Sequence, residues 1–436
     1  MTHILIVSLG NSPEPIVNCI NSLRPDRVIF FCSELSRENV SAVLDRVPLP
    51  DYQEAADVVV LQQRLHRKQS DDVINELDKL DRVYIRACEL ISAVRIQHPG
   101  CNITVDYTGG TKTMTTGLAM AAIDDGIAQL SVTITDRSSQ MAHESGYSVP
   151  VLVSTAVIQS RRLFEQDLPS LLKRFDYEAA RQAVRRILQL PSQDMESSLQ
   201  LRRLEDLLVV ADAWDRFDHR RALEVLERMG DRSLDQRLLF PLKRVVGSRR
   251  ILDTVAEIEK WSYMPGHNLE AVEDLLRNAE RRAAQDRYDD AVGRLYRAME
   301  LTAQILLKKT ADIDTADVDI KKLPEHIQEV YRSKKQASAD SDKLKLALSN
   351  AYDLLADLQH PVGLHWRQQR SRIQDSLKTR NHSLFAHGFS PISYSDWRIL
   401  AGTLVPFLQQ AIDDTIQQTK FSPLAQLPSS IAELLP

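Results

Sequence analysis

Two stretches of the sequence carry residue types that could do chemistry on a phosphate. The first is DYTGGTKTMTTG, residues 106–117, which joins a strand-like apolar run to a run with helical spacing. Its paired glycines let the backbone come close to a ligand and expose amide donors. Lys112 adds a positive charge in the first turn of the predicted helix, where the helix dipole already favours an anion. The stretch therefore predicts a loop that holds a phosphate or a ribose.

The second stretch is KTRNHSLFAHG, residues 378–388. Arg380 and His387 are seven residues apart, so a single helix would carry both on one face, about 10 Å apart along its axis. Gly388 is typical of a helix C-cap, and a histidine in the last turn would favour its protonated form. An arginine, a protonatable histidine and the neighbouring Asn381 suit a reaction at a phosphate. Because the arginine and histidine of one helix do not easily meet at one phosphate, we expect a composite site across the two-fold axis of a homodimer.

The loop at 106–117 matches neither common nucleotide-binding fingerprint. A P-loop needs Gly-x-x-x-x-Gly-Lys-Ser/Thr, but here Thr111 separates Gly110 from Lys112. The dinucleotide motif Gly-x-Gly-x-x-Gly is absent too, because the first predicted strand ends in SLGNSPEP, residues 8–15, with a single glycine. A P-loop ATPase and a dinucleotide-dependent enzyme are therefore disfavoured.

The N-terminal part of the chain predicts an α/β fold. Short apolar runs rich in β-branched residues alternate with helical or turn stretches, which is typical of a parallel, doubly wound sheet. In such sheets ligands bind beyond the carboxyl ends of the strands, near a topological switch point. Ser12 is a plausible N-cap with Pro13 at the first helical position, and Thr108 or Thr111 could cap the later helix. The predicted strands are residues 3–9, 27–33, 57–61, 102–107 and 128–135.

From about residue 156 onward the sequence predicts only helices. Glycine becomes rare and apolar residues recur at helical spacing, which favours a helical bundle over a solenoid of repeats. The stretch 262–268 contains Pro and Gly and is the clearest break, and the polar stretch 333–343 predicts a surface loop. Helices are predicted at 175–188, 215–229 and 286–307.

Composition and spacing exclude several other classes. The chain has 436 residues, of which 43% are hydrophobic and 26% charged, so two or three globular domains are expected. No apolar run reaches the roughly 18 residues of a membrane span, and the apolar run 3–9 is interpreted as a strand rather than a signal peptide. Four scattered cysteines indicate reduced thiols and hence a cytoplasmic protein. No set of potential ligands has metal-site spacing, so no metal or other cofactor is expected.

The N-terminal part resembles a CARF domain, one of the CRISPR-associated sensor domains that bind cyclic oligoadenylates across a two-fold axis. The resemblance is carried by SLGNSPEP after the first strand and DYTGGTKTM after the fourth, and it covers roughly residues 1–155. It implies an activator pocket lined by both loops. The residues expected there are Ser8, Gly10, Asn11, Ser12, Thr108, Gly109, Gly110, Thr111 and Lys112.

CARF domains are usually fused to an effector, and residues 378–388 resemble the Arg-x(4–6)-His motif of HEPN ribonucleases. The resemblance implies that Arg380 binds the scissile phosphate, His387 transfers a proton and Asn381 positions one or the other. It also implies metal-independent cleavage by the RNA 2′-hydroxyl, which leaves 2′,3′-cyclic phosphate and 5′-hydroxyl ends. A local positive field suits RNA, although the net charge of the chain is −5. Within 365–389 the basic residues Arg367, Arg370, Arg372, Lys378 and Arg380 stand against Asp375.

Together the two resemblances imply a CARF–HEPN ribonuclease of a type III CRISPR system. They imply a CARF domain at 1–155, a helical linker at 156–265 and a HEPN domain at 266–436. We expect cyclic tetra- or hexa-adenylate as the activator, single-stranded RNA as the substrate, and a homodimer that binds neither membranes nor, stably, DNA. The sequence leaves open whether the CARF domain also degrades its activator, with Thr111 or Ser12 orienting the 2′-hydroxyl.

Two alternatives stay open at this point. In one, the helical half is an inactive HEPN scaffold and the protein is a ligand-sensing regulator. In the other, the N-terminal half is a nucleotide-dependent enzyme of another kind, with 106–117 as its substrate loop.

Overall fold

The structure is a computed structural model that describes residues 2–61, 79–126, 128–135, 148–190, 195–252, 261–337, 344–381, 383 and 388–435. The chain divides into two compact units. The first comprises Met1–Asp167 and Gln182–Arg202, and the second comprises Leu168–Arg181 and Arg203–Pro436. The boundaries expected at residues 155 and 265 stay predictions. None of the described helices combines the length and the apolar character needed to span a lipid bilayer.

A six-stranded sheet forms the centre of the first unit. Its order is β3-β2-β1-β4-β5-β6, with every neighbouring pair parallel except β5 and β6. The predicted α/β fold is thus confirmed, and the wholly parallel sheet is corrected to a mixed one. The strands are β1 (His3–Leu9), β2 (Arg27–Ser33), β3 (Val58–Leu61), β4 (Asn102–Asp106), β5 (Gln129–Thr135) and β6 (Ser148–Val153).

Side chains of β1 alternate between the two faces of the sheet, as the period of a strand requires. Leu5 and Val7 belong to the core beneath α1 and α2, whereas Ile4 and Ile6 belong to the core beneath α4 and α5. Helices on both faces explain why the strands are apolar almost throughout. The helices of this part are α1 (Glu14–Leu23), α2 (Asn39–Leu44), α3 (Glu54–Asp57), α4 (Leu80–Gln97), α5 (Lys112–Asp125) and α6 (Ala156–Arg162).

The rest of the described chain is helical, as predicted. The stretch 262–268 contains no helix, as expected, but residues 333–337 belong to a helix rather than to a surface loop, and 338–343 lie outside the described residues. Two π-helical segments, Leu163–Asp167 and Asp235–Leu239, and two short 3₁₀ turns interrupt the series. The helices are α7 (Leu168–Lys173), α8 (Tyr177–Leu188), α9 (Met195–Asp215), α10 (His219–Met229), α11 (Phe240–Arg249), α12 (Glu270–Ala284), α13 (Tyr288–Ala311), α14 (Glu325–Ala337), α15 (Leu348–Asp357), α16 (Pro361–Asn381), α17 (Tyr394–Thr419) and α18 (Ile431–Leu434).

An aromatic cluster fixes α16 in the core of the second unit. The fully buried Trp366 stacks on Tyr352 of α15, with ring centroids 4.8 Å apart, and meets Phe407 of α17 edge-on. Its indole Nε1 donates to Asp353 Oδ1 at 3.1 Å, which satisfies the only polar atom of the side chain. Gly363 lets α16 and α15 touch, since a Cβ there would lie 2.2 Å from the backbone nitrogen of Ala356. The helix that ends at the HEPN-like motif is therefore held by packing along its first half.

Buried charges on α12 are neutralised by the end of α9. Arg281 Nε donates to Asp215 Oδ1 at 2.6 Å, and Arg282 pairs with the same carboxylate. Asn278 Nδ2 donates to Asp215 Oδ1 at 2.9 Å. Arg281 is fully buried and Asp215 nearly so. Removal of the Asp215 carboxylate would therefore leave two guanidinium groups without their shared acceptor and should destabilise the fold.

Candidate functional site

The strand order places the two predicted ligand loops at the switch point of the sheet. From β1 the chain proceeds to β2 and β3 on one side, whereas β4 and β5 lie on the other side. β1 and β4 are parallel neighbours, so the loops that follow Leu9 and Asp106 leave the sheet at the same edge. A crevice outside the carboxyl ends of strands at such a reversal is where open α/β sheets bind ligands.

Glycines let these two loops pack directly against each other. A Cβ atom at Gly10 would lie 2.5 Å from the backbone nitrogen of Gly110, and one at Gly109 would lie 2.4 Å from the carbonyl oxygen of Ser8. Gly110 also has a φ of +100°, which residues with a Cβ rarely adopt. The sequence suggested that the glycines let the backbone approach a ligand. In the structure, Gly10 and Gly109 are needed because any side chain there would clash with the backbone of the other loop.

The start of α5 has the features predicted for an anion site. Thr111 is the N-cap, and its Oγ1 accepts from the backbone nitrogen of Met114 at 3.3 Å. Lys112 is the first residue of the helix and is exposed. Thr108 serves the loop itself, because its Oγ1 accepts from the backbone nitrogen of Thr133 at 2.6 Å. The capping and the position of the lysine are confirmed.

The loop after β1 differs from its prediction in two details. Ser12 does not cap α1, because the helix begins at Glu14 with Pro13 as the N-cap, and no side chain caps it. Ser8 is fully buried and donates through Oγ to the carbonyl of Asp106 at 3.4 Å, so it supports the loops instead of facing the crevice. The exposed members of the predicted set are Asn11, Ser12, Gly110, Thr111 and Lys112, whereas Gly10, Thr108 and Gly109 are half-buried.

Asp106 organises the floor of this site, and sequence reasoning missed it. Its Oδ1 accepts from the backbone nitrogen of Thr108 at 3.0 Å, and its Oδ2 accepts from Ser131 Oγ at 2.9 Å and Thr133 Oγ1 at 3.3 Å. The carboxylate is fully buried. Burial, and then the negative charge of this carboxylate, raise the pKa of the neighbouring Cys19 thiol, so the thiol stays protonated. The sequence did contain a sign of this role, because Asp106 is the acid that ends the strand-like run ITVD, residues 103–106, just before the glycine loop.

The HEPN-like motif begins at the end of α16, and most of it lies outside the described residues. The helix ends at Asn381, while Ser383 lies in a bend. The side chains of Arg380 and Asn381, and all of His382 and His387, are outside the described part of the chain. α16 ends at Asn381, and the predicted placement of His387 on the same helical face as Arg380 lies outside the described residues. Their roles stay predictions.

Ion pairs reduce the predicted positive field around the motif. Arg367 pairs with Asp357, Arg370 pairs with Asp353 at 3.1 Å, and Lys378 pairs with Asp375 at 2.7 Å. Arg372 makes no ion pair with any residue that the structure describes. His365 packs its ring against Phe407, 5.6 Å between centroids, which gives it a structural contact. No group of three His, Cys, Asp or Glu side chains within the described ranges could hold a metal ion.

Comparisons with known proteins agree with both halves of this description. Residues 264–411 match the family model of the Csm6 HEPN domain, a segment that includes α12 to α16 and the HEPN-like motif. This segment is therefore similar to a Csm6 HEPN domain. The solved structure "Enterococcus italicus Csm6 bound to cyclic hexa-2'-fluoro-hexa-dAMP" covers 100% of this chain and 100% of that chain, with a TM-score of 0.58 and 14% identity. That likeness shows a shared fold, and the search of curated proteins finds no match. The predicted resemblance to a CARF–HEPN protein is confirmed.

Proposed function

We propose that this CARF–HEPN protein is an endoribonuclease of type III CRISPR antiviral defence that cyclic oligoadenylate activates. One observation carries the proposal: a segment matching the Csm6 HEPN family contains the Arg380–His387 motif and shares a chain with a glycine-lined crevice at a sheet switch point. The activator assignment is supported by the similar Enterococcus italicus Csm6 structure, in which cyclic hexa-2'-fluoro-hexa-dAMP is bound.

The crevice suits a ring of nucleotides with 3′,5′-phosphates. Exposed Lys112 supplies a positive charge in the first turn of α5, and the helix N-terminus adds backbone amides that favour an anion. Asn39 Nδ2 donates to the Gly10 carbonyl at 2.9 Å, which holds the loop after β1 in place before a ligand arrives. The two-fold symmetry of the ring matches a homodimer in which each protomer contributes one crevice.

The proposed reaction is attack of an RNA 2′-hydroxyl on the adjacent phosphorus. The 2′-oxygen forms a bond to phosphorus, the bond to the 5′-oxygen breaks, and the proton lost from the first oxygen is balanced by one gained by the second. Arg380 would bind the non-bridging oxygens, His387 would transfer a proton, and Asn381 would position one of them. The products are a 2′,3′-cyclic phosphate and a 5′-hydroxyl, and no metal ion takes part.

One observation favours a second reaction, slow cleavage of the activator in the crevice. Ser12 is exposed and makes no side-chain hydrogen bond to a described residue, so its hydroxyl is free to orient a ring 2′-hydroxyl. Thr111 is the poorer candidate because its oxygen already caps α5. Incubation of ring with the Arg380→Ala/His387→Ala variant, followed by chromatography, would show linear products if this reaction occurs and intact ring if it does not.

The test of the main reaction uses a quenched fluorescent RNA in buffer with EDTA and either cyclic tetra-adenylate or cyclic hexa-adenylate. Wild type should cleave with one ring and release cyclic phosphate ends, and Arg380→Ala/His387→Ala should not cleave. Persistence of cleavage in the double variant would refute the assigned motif. Absence of cleavage by wild type that nevertheless binds a ring would favour the ligand-sensing regulator.

A further inference from the structure

We propose that the groove between α16 and α17 binds the phosphates of the RNA substrate beside the scissile bond; this inference rests on the proposed nuclease function. The groove has a volume of about 930 Å³ and lies within the second unit. Gln368, Arg372 and Ser376 of α16 line one side, and Arg398, Gly402 and Thr403 of α17 line the other.

The groove lies on the face of α16 that also carries position 380. Residues 372, 376 and 380 follow one another at intervals of four, so they occupy one face of α16. The helix rises about 1.5 Å per residue, which puts position 372 roughly 12 Å from position 380 along the axis. The groove therefore leads along the same helical face to the arginine assigned to the scissile phosphate.

Two arginines give the groove a positive charge. Arg372 and Arg398 are exposed on opposite sides of the groove, and neither forms an ion pair with any residue in the described ranges. Arg398 instead lies against the ring of Tyr394, 5.9 Å from its centroid. The acid in the groove, Asp375, is already paired with Lys378. Two guanidinium groups without ion pairs on opposite sides of one groove suit phosphate oxygens, which arginine binds bidentately.

Gly402 leaves open space in the groove. Glycine in the middle of an exposed helix lowers helix stability relative to alanine. A Cβ there would meet no atom within 4 Å, so no neighbouring group requires the small residue. The missing side chain keeps the groove wide near the two arginines. Ligand binding therefore explains the glycine, whereas packing of the folded chain does not require it.

The test measures anisotropy of a labelled, fully 2′-O-methylated single-stranded RNA, which cannot be cleaved because its 2′-oxygen carries no proton. The ring-bound full-length protein is titrated at several KCl concentrations. Arg372→Gln and Arg398→Gln should each weaken binding by about tenfold and lower the slope of log K against log salt by about 0.7. Gly402→Gln should weaken binding without changing that slope, because it fills space and leaves the charge unchanged.

Arg332→Gln is the matched control, because this arginine is exposed on α14, pairs locally with Glu329 and is absent from the groove. It should leave affinity and slope unchanged. The inference would be overturned if Arg372→Gln and Arg398→Gln behaved like this control. It would also be overturned if these variants lost the dimer in sedimentation, because the groove would then bind a second copy of the chain. Failure of wild type to bind the probe would also overturn it, whereas the proposed function would fail separately if unmodified RNA is not cleaved.

Discussion

Gly10 and Gly110 lie so close that a Cβ atom on the first would stand 2.5 Å from the backbone nitrogen of the second. The loop after β1 and the loop after β4 thus form one surface, although about 100 residues separate them in the sequence. A ligand that touches either loop is necessarily near the other. This contact unites the two motifs that carry the CARF resemblance.

Gly10→Ala should therefore separate the loops and weaken ring binding at least tenfold, because the clash is with backbone that cannot rotate away. Calorimetric titration of a ring measures the effect. Gly126→Ala is the control: its φ of +75° strains an alanine, but a Cβ there meets nothing within 4 Å. The control should lose about 1–2 kcal/mol of folding free energy and keep its ring affinity. Unchanged ring affinity in Gly10→Ala would contradict the shared surface.

Asp106 should act as a positioning residue for the activator loop. Asp106→Ala leaves the Thr108 amide and two hydroxyls without their acceptor, at a cost of about 2–3 kcal/mol. The ring concentration for half-maximal cleavage should rise, while the maximal rate should hold. Asp106→Asn keeps the oxygen that accepts from Thr108 and should recover most of the affinity. Equal behaviour of the two variants would count against a positioning role through that hydrogen bond.

The nuclease site should be shared between two protomers. Arg380→Ala and His387→Ala, each inactive alone, should recover activity when mixed, since a mixed dimer keeps one intact arginine–histidine pair. About a quarter of the wild-type rate is expected, because half of the dimers are mixed and each has one working site of two. Rates are measured after co-refolding or subunit exchange. No recovery despite verified mixed dimers would place both residues of a site in one chain.

The buried carboxylate of Asp215 should matter for the stability of the helical unit. Asp215→Ala leaves the buried Arg281 and its neighbour Arg282 without their shared acceptor, and about 3–5 kcal/mol of unfolding free energy should be lost. Glu224→Ala on α10 removes the partner of Arg220 in an exposed pair and should change little. Urea unfolding followed by circular dichroism compares the two. Equal losses would show that burial of the first pair is not decisive.

The strands could be predicted from the sequence because burial on both faces demands continuous apolar residues. β1 and β2 were predictable to the residue, and β3 and β4 to within one residue. β6 was harder to predict, because it is an edge strand: Pro150 interrupts it, and Val149, Val151 and Leu152 are partly exposed. Thr111 was one of the two predicted caps of α5, because a threonine directly before a helix can accept from a backbone amide of the first turn.

Other features depend on contacts that spacing alone does not encode. The spacing of Arg380 and His387, with Gly388 as a C-cap, suggested a helix extending to His387, yet α16 ends at Asn381. Asp106 was predicted within a strand, but only the packing of β4 against β5 surrounds its carboxylate with hydroxyl donors. Arg398 and Gly402 belong to the groove solely because α17 packs beside α16. The ion pairs of Arg367 and Arg370 also depend on packing, because their acidic partners lie on the neighbouring helix α15.

The most direct test of the central claim is the rate of RNA cleavage as a function of ring concentration for wild type and Lys112→Gln. We expect negligible cleavage without ring and a saturable rise with it. For Lys112→Gln we expect a midpoint shifted about tenfold upward with an unchanged plateau, since only a charge in the activator site is lost. A wild-type rate that is the same with and without ring would contradict control of the nuclease by the crevice between β1 and β4.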